Sequence, residues 1–264
     1  MFLSKYAKIM KIILASGSPR RYDLLKQMEW DVEVRSLPFA EVETVKEATE
    51  QIKNIRNKFL LNVTKQVNAA DIIKSDDAVF TKNHPALATV LNNSETQSGV
   101  PFSEKDLVLL SPCRNADLVC AYNALGKGKA VANVVGTGIP VVAADTIVVL
   151  GTKILGKPAD ASAARQMLRE LSGKSHQVKT ATAVFYQDKT LLQVVTTDVH
   201  FRRLTEKETD WYVATGEPLD KAGAYGIQGK GAVLVEKIEG SYDNVVGLPL
   251  AAVYEMLKKL GTGL

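Results

Sequence analysis

Two adjacent arginines, Arg20 and Arg21, follow Ser16-Gly17-Ser18-Pro19 at what reads as the start of a helix, with Ser18 as N-cap and Pro19 at the first helical position. Cations in a first turn oppose the positive end of the helix dipole, at a cost of a few tenths to ~1 kcal/mol. A phosphate at that terminus would offset the cost, taking bonds from backbone N–H groups, from the hydroxyls of Ser16 and Ser18, and from one or both guanidinium forks. A well-capped helix whose arginines simply point to solvent is an equal reading of the same residues.

Asp145 stands inside the apolar run Val141–Leu150, where a carboxylate needs a partner. That partner is an arginine at a strand bend, the commoner case, or a hard divalent cation shared with a second acid, which Glu41 or Glu43 could supply. Lys157 in Gly156-Lys157-Pro158, and Lys58 near the end of a predicted helix, are ordinary solvated lysines if taken singly; grouped with the arginines they could neutralise a triphosphate. The loop Asp220–Gly229 carries Gly223, Gly226 and Gly229, which permit close backbone approach, and Gln228, whose amide both donates and accepts and so suits a base edge. By composition alone this loop is more often structural. Gly126-Lys127-Gly128-Lys129 fails the GxxxxGK[ST] pattern and reads as a flexible turn. His176 and His200 fall on or beside predicted strands with no nucleophile elbow or triad spacing, so histidine catalysis has no support.

The elements that would position these groups follow from periodicity. Lys11–Ala15 reads as a buried strand, the helix from Pro19 carries Leu24, Leu25 and Met28, Val32–Ser36 alternates as a strand, and Glu47–Leu60 has Ile52, Ile55 and Phe59 on one helical face. From residue 63 to 139 the pattern weakens, and this stretch is expected to be an insertion, either a helical pair or a mostly disordered excursion, in a single domain spanning 10–264, preceded by an extension at 1–9. Beyond it come a central strand at Val141–Leu150, a helix from Asp160 or Ser162 to Leu171, and a hairpin of Val178–Tyr186 with Leu191–Phe201. A Thr205/Glu208 capping box opens the next helix, a strand runs over Ala232–Ile238, and a helix follows Pro249.

With 264 residues, 46% of them hydrophobic, the chain can bury a proper core. Its 33 basic and 29 acidic residues leave a net charge of +4, too balanced for a nucleic-acid partner, so any anion must be held by a local cluster. Cys113 and Cys120 form no CxxC pair and have no nearby histidine, which argues against a disulfide framework and a zinc site, and for a reducing cytoplasm. No apolar run approaches the ~20 residues that span a bilayer, so no membrane partner is expected.

Taken in order, Ser16-Gly17-Ser18-Pro19-Arg20-Arg21, Ala144-Asp145-Thr146, Gly156-Lys157-Pro158, Leu171–His176, Lys221–Gly229, Gly240-Ser241-Tyr242 and Val246–Leu250 resemble the Maf family of nucleoside triphosphate pyrophosphatases. The resemblance implies an α/β, inosine-triphosphatase-like fold of two lobes with an elongated mixed sheet and a central cleft, often a homodimer. It also implies conversion of a nucleoside triphosphate to its monophosphate and pyrophosphate with Mg²⁺, Mn²⁺ or Co²⁺. By motif position Asp145 matches the active-site acid, as proton acceptor, metal ligand or both, with Glu41 as the acidic metal partner and Lys58 as the helix lysine. Ser16, Ser18, Arg21 and Lys157 would bind phosphates, and Arg20, Thr146 and Gln228 fall where the family chooses its substrate. SPRR, ADT and YGIQG resemble the branch that hydrolyses dTTP and UTP. The competing function is a nucleotide-binding regulator of cell division and septum formation with little turnover.

Overall fold

The computed structural model describes residues 10–66, 102–136 and 138–264. Its centre is the apolar run predicted as a strand, β3 (Val141–Leu150), because a chain buried on both faces must satisfy its backbone through neighbours on either edge. On one edge β3 pairs antiparallel with β5 (Ser175–Tyr186) along nearly its whole length, Val141 facing Phe185 and Val149 facing Gln177. On the other edge β1 (Lys11–Leu14) runs parallel to β3 but meets only Val141 and Val142, and β4 (Lys153–Leu155) covers only Val148–Leu150. Between them, among the described residues, no strand pairs with Ala143–Ile147 on that edge.

The sheet is open, mixed and seven-stranded, in the order β2-β1-β3-β5-β6-β7 with β4 attached to β3, where β2 is Asp31–Val34, β6 Lys189–Phe201 and β7 Val235–Glu239. This agrees with the mixed α/β expectation. The predicted hairpin closes tightly through Gln187-Asp188, with Gln187 at φ 54°. The strand expected at Ala232 starts three residues later, because Gly229–Leu234 forms a 3₁₀ turn first.

Period-two alternation along β3 divides the core. Val141, Ala143, Ile147 and Val149 face α2 (Val45–Gln66), α3 (Glu104–Leu110) and α4 (Ala116–Val135). Val142 and Ala144 face α1 (Pro19–Lys26) and the closing α8 (Leu250–Leu260); Val148 faces α5 (Ala161–Leu171) and α6 (Glu206–Ala214). Between α6 and α8 lies the short α7 (Tyr242–Val246). Local signals hold at the caps: Asp160 accepts from the Ala163 N–H at 2.8 Å, and Thr205 and Glu208 form the expected reciprocal box. Ser18 does not cap α1 with its side chain; its own N–H donates to Ser16 Oγ instead, at 3.2 Å.

The stretch 63–139 was expected as an insertion. The extension 1–9 and residues 67–101 lie outside the described residues, whereas α4 is integral to the core, with Val119, Cys120, Ala121, Ala124, Leu125 and Val131 buried. Helical periodicity fails there because α4 is apolar nearly all round, covered by the sheet on one side and by α2 and Phe39 on the other. Gly126-Lys127-Gly128, read as a flexible turn, lies inside this helix. A Cβ on Gly126 would stand 2.0 Å from the Phe39 ring, and one on Gly128 would stand 2.2 Å from Phe185 and 2.9 Å from Ala143. Two mid-helix glycines cost about 1 kcal/mol each relative to alanine, and close packing is what offsets them.

His176 on β5 is buried and its Nε2 lies 2.8 Å from the Tyr225 hydroxyl, edge-on to the Phe201 and Tyr225 rings. Burial, reinforced by His200 and opposed by Asp198, lowers its pKa to about 4. Between that value and the ordinary ~6.5 the unfolded chain binds a proton the folded chain does not, so stability falls as pH drops through this window. Urea unfolding is expected to lose about 2.5 kcal/mol from this group between about pH 7 and about pH 4.5. His176→Phe should remove that part of the slope, and a variant with the full slope would sink the assignment.

Candidate active site

Parallel strands open a crevice at their carboxyl ends where successive connections leave for opposite faces. Here β1 leads through α1 on one face, β3 is entered from α4 on the other, and the two strands part after Leu14 and Val142. Ser16–Arg21 crosses this opening beside Asp145 and Thr146, which alternate to opposite faces of β3.

On the α4 face, Asp145 is buried, its side chain 10% exposed, and its oxygens are divided between two donors. Lys127 Nζ meets Oδ1 at 2.7 Å, and Asn123 Nδ2 donates to Oδ2 at 3.2 Å. The same Lys127 Nζ lies 2.8 Å from Glu41 Oε2. One ammonium thus joins both acids singled out in the sequence. Glu43, the alternative acid, is exposed, and its N–H donates to Glu47 at 2.8 Å.

On the opposite face Arg21 is committed to the protein. Nε donates to the Gly247 carbonyl at 2.8 Å, Nη1 to Ser16 Oγ at 3.2 Å and Nη2 to Thr146 Oγ1 at 3.0 Å. Thr180 donates to the Asn244 carbonyl at 3.0 Å, so in its 2.9 Å contact with Thr146 it is the acceptor. A directed chain therefore runs Arg21, Thr146, Thr180, Asn244. Burial lowers the Arg21 pKa, with Asp145 opposing, Arg20 adding to the shift and Glu41 opposing. Ser16 Oγ accepts from both Ser18 N–H and Arg21, which leaves its own proton for an external acceptor.

Arg20 remains half-buried at the rim, 3.4 Å from Asp220, so the corner touches the glycine-rich loop. Burial would raise the Asp220 pKa, but Lys221 and Arg20 hold it below the usual carboxylate range. Gly223 sits at φ 69° against Val148, where a Cβ would be 2.9 Å away, and its N–H donates to the Gly156 carbonyl at 3.0 Å, which brings Lys157's loop alongside. Gln228 and Lys157 are exposed. Glu217 orders this loop, accepting from Tyr212 Oη, Lys230 N–H and Gly231 N–H at 3.1, 3.2 and 3.3 Å.

Lys58, the expected helix lysine, is exposed on α2, and the lysine that meets the acid pair is Lys127. Sequence reasoning passed over Lys127, Asn123 and Glu217. Asn123 and Lys127 are four apart, one helical turn, and that spacing to a lysine preceding Asp145 was the available signal.

Among the described residues no group of three or more His, Cys, Asp or Glu is gathered around one point. Two carboxylates already facing one cation are nevertheless a hard-oxygen donor set, and Mg²⁺ is commonly held by one or two carboxylates with substrate phosphates completing its shell. The residues fit such an ion. No helix among the described residues is long and apolar enough to cross a membrane.

A family model described as Maf-like protein matches residues 11–98 and 87–260. The dTTP/UTP pyrophosphatase of Bacillus cytotoxicus is 48% identical over 185 residues, which cover 70% of this chain and 96% of that protein. A protein of the same name from Shigella sonnei is 56% identical over 135 residues, covering 50% of this chain and 68% of its own length. A nucleoside triphosphate pyrophosphatase from Shigella flexneri is 55% identical over the same shares. Because the family match runs from β1 to the last turn of α8 and includes both strands that open the crevice, this chain belongs to the Maf-like protein family.

Proposed function

We propose that this chain is a nucleoside triphosphate pyrophosphatase, acting on dTTP and UTP to release the monophosphate and pyrophosphate. The observation that carries the reading is the Glu41–Lys127–Asp145 group at the opening between β1 and β3, beside a corner rich in anion donors. The names of the relatives from Bacillus cytotoxicus and Shigella sonnei support the substrate class.

In this reading the triphosphate lies across Ser16–Arg20, with the Ser16 hydroxyl, the Ser18 region and the Arg20 guanidinium donating to it and Lys157 neutralising its far end. Arg21 holds the corner against Thr146 and Gly247 and leaves direct charge contact to Arg20. Glu41 and Asp145 would hold a divalent cation, which when bound supplies positive charge at the phosphoryl oxygens. Asp145 accepts the proton of a water that attacks the α-phosphorus in line. The new bond forms from water oxygen to phosphorus, the α–β bridging bond breaks, and pyrophosphate leaves with the bridging oxygen. Such chemistry is mainly positioning and electrostatics. Gln228 presents its amide to the base, where a pyrimidine's carbonyls and N3 proton offer matching partners.

A turnover panel tests this: dTTP, UTP, dCTP, ATP and GTP with Mg²⁺ or Mn²⁺, assayed for monophosphate and pyrophosphate. We expect kcat/KM for dTTP and UTP to exceed that for the purine nucleotides by about 10²-fold. Absence of metal-dependent product from any of them would return the chain to nucleotide binding alone.

A further inference from the structure

We infer that Asn123 is a positioning residue that sets the separation of Glu41 and Asp145; the inference rests on the hydrolase reading above. Glu41 lies in an irregular segment between β2 and α2, and its side chain is 53% exposed, so nothing in its local secondary structure determines where the carboxylate goes. Its neighbour Val42 is buried, and there the backbone is held from both sides by one side chain. Asn123 Oδ1 accepts the Val42 N–H at 2.9 Å, and Asn123 Nδ2 donates to the Val42 carbonyl at 2.9 Å, as an adjacent strand would do.

The second Nδ2 proton goes to Asp145 Oδ2 at 3.2 Å. This uses both donors of the amide and leaves no ambiguity in its orientation. A flipped amide would set Nδ2 against the Val42 N–H and Oδ1 against two acceptor oxygens. Asn123 itself is 3% exposed, one turn before Lys127 on α4, so a single helix face carries both the amide that spaces the acids and the ammonium that joins them. Phe39, seated where Gly126 lacks a Cβ, fixes the same segment from its other end.

Leucine keeps the branched outline, though it is bulkier, and offers neither donor nor acceptor. Aspartate keeps the acceptor for Val42 N–H but sets a third carboxylate against Asp145. In Asn123→Leu we expect kcat for dTTP to fall about 10–100-fold, the range for residues that orient metal-binding groups, with KM changed by less than about threefold. The Mg²⁺ concentration for half-activation should rise about tenfold. Amide hydrogen exchange at Val42 is the readout independent of turnover, and it should quicken by at least about tenfold as its acceptor is lost. Should Asn123→Leu not fold, Asn123→Ser, which cannot overpack the site, is judged on the same measurements.

Wild-type kcat, Mg²⁺ midpoint and Val42 exchange in the folded variant would overturn the assignment, as would a fall in kcat with Val42 exchange unmoved. If instead the unaltered protein releases no dTMP from dTTP, it is the hydrolase reading that fails, while the Val42 measurement still reports on the clamp.

Discussion

Asp145→Asn is expected to lower kcat for dTTP by about 10³-fold, within the 10²–10⁴ range for loss of a positioned proton acceptor, while KM stays within about threefold. Asparagine keeps the shape of the side chain, and its carbonyl oxygen can still accept from Lys127, which holds Oδ1 at 2.7 Å. It loses the negative charge and the ability to take a proton from water, and its amide nitrogen meets another donor, Asn123 Nδ2, where Oδ2 accepted at 3.2 Å. Because the corner on the other side of β3 is built from Ser16, Arg21 and Thr146, none of which bonds to Asp145, nucleotide binding by that corner should be spared when kinetics are run at saturating Mg²⁺. Steady-state kinetics with a pyrophosphate-release assay checks this. A variant retaining more than about a tenth of wild-type kcat would remove Asp145 from the chemistry.

Lys127→Met should act first on stability. Breaking a buried ion pair by removing one partner costs about 3–5 kcal/mol, because the remaining charge is left without compensation. Asp145 is 10% exposed at its side chain and Lys127 17%, but Glu41 is 53% exposed and its share is screened by solvent. About 2–3 kcal/mol is therefore expected, and at about 2–4 °C per kcal/mol for a chain of this size the melting temperature should fall by about 5–10 °C. Two carboxylates left facing each other also attract a cation more strongly. Added Mg²⁺ should consequently raise the melting temperature of Lys127→Met by more than that of the wild type. Scanning calorimetry with and without Mg²⁺ reads both effects, and an unchanged melting temperature would mean that the bridge carries no stability.

Local physics was enough for most of the elements. The continuous apolar run of Val141–Leu150, the capping box at Thr205 and Glu208, and the polar turn after Tyr186 that closes the β5–β6 hairpin each depend on neighbours within a few positions, so the residues announce them. Helix α4 was hidden for a definite reason. Periodicity detects a helix by the contrast between a wet and a dry face, and a helix buried nearly all round has none; its two glycines, indispensable against Phe39 and Phe185, read as turn formers. Losing α4 also lost Lys127 and Asn123, and left Lys58 as the helix lysine within reach of the reading.

The corner at Arg20 and Arg21 divides in the same way. Residue type marks it as a place for an anion, since two cations beside a helix N-terminus are otherwise unfavourable. Residue type does not say that one guanidinium is spent on Ser16, Thr146 and Gly247 while the other faces the rim near Asp220. Asp145 is likewise marked by being a charge in an apolar strand. The identity of its cation is a matter of which side chains arrive from elsewhere in the chain, and that follows from how closely α4 seats against β3 and the Phe39–Val42 segment. The chemical character of each group was thus written in the residues near it. The pairing of acids, lysine and amide was settled by helix and sheet packing between segments far apart in the sequence, which no local pattern encodes.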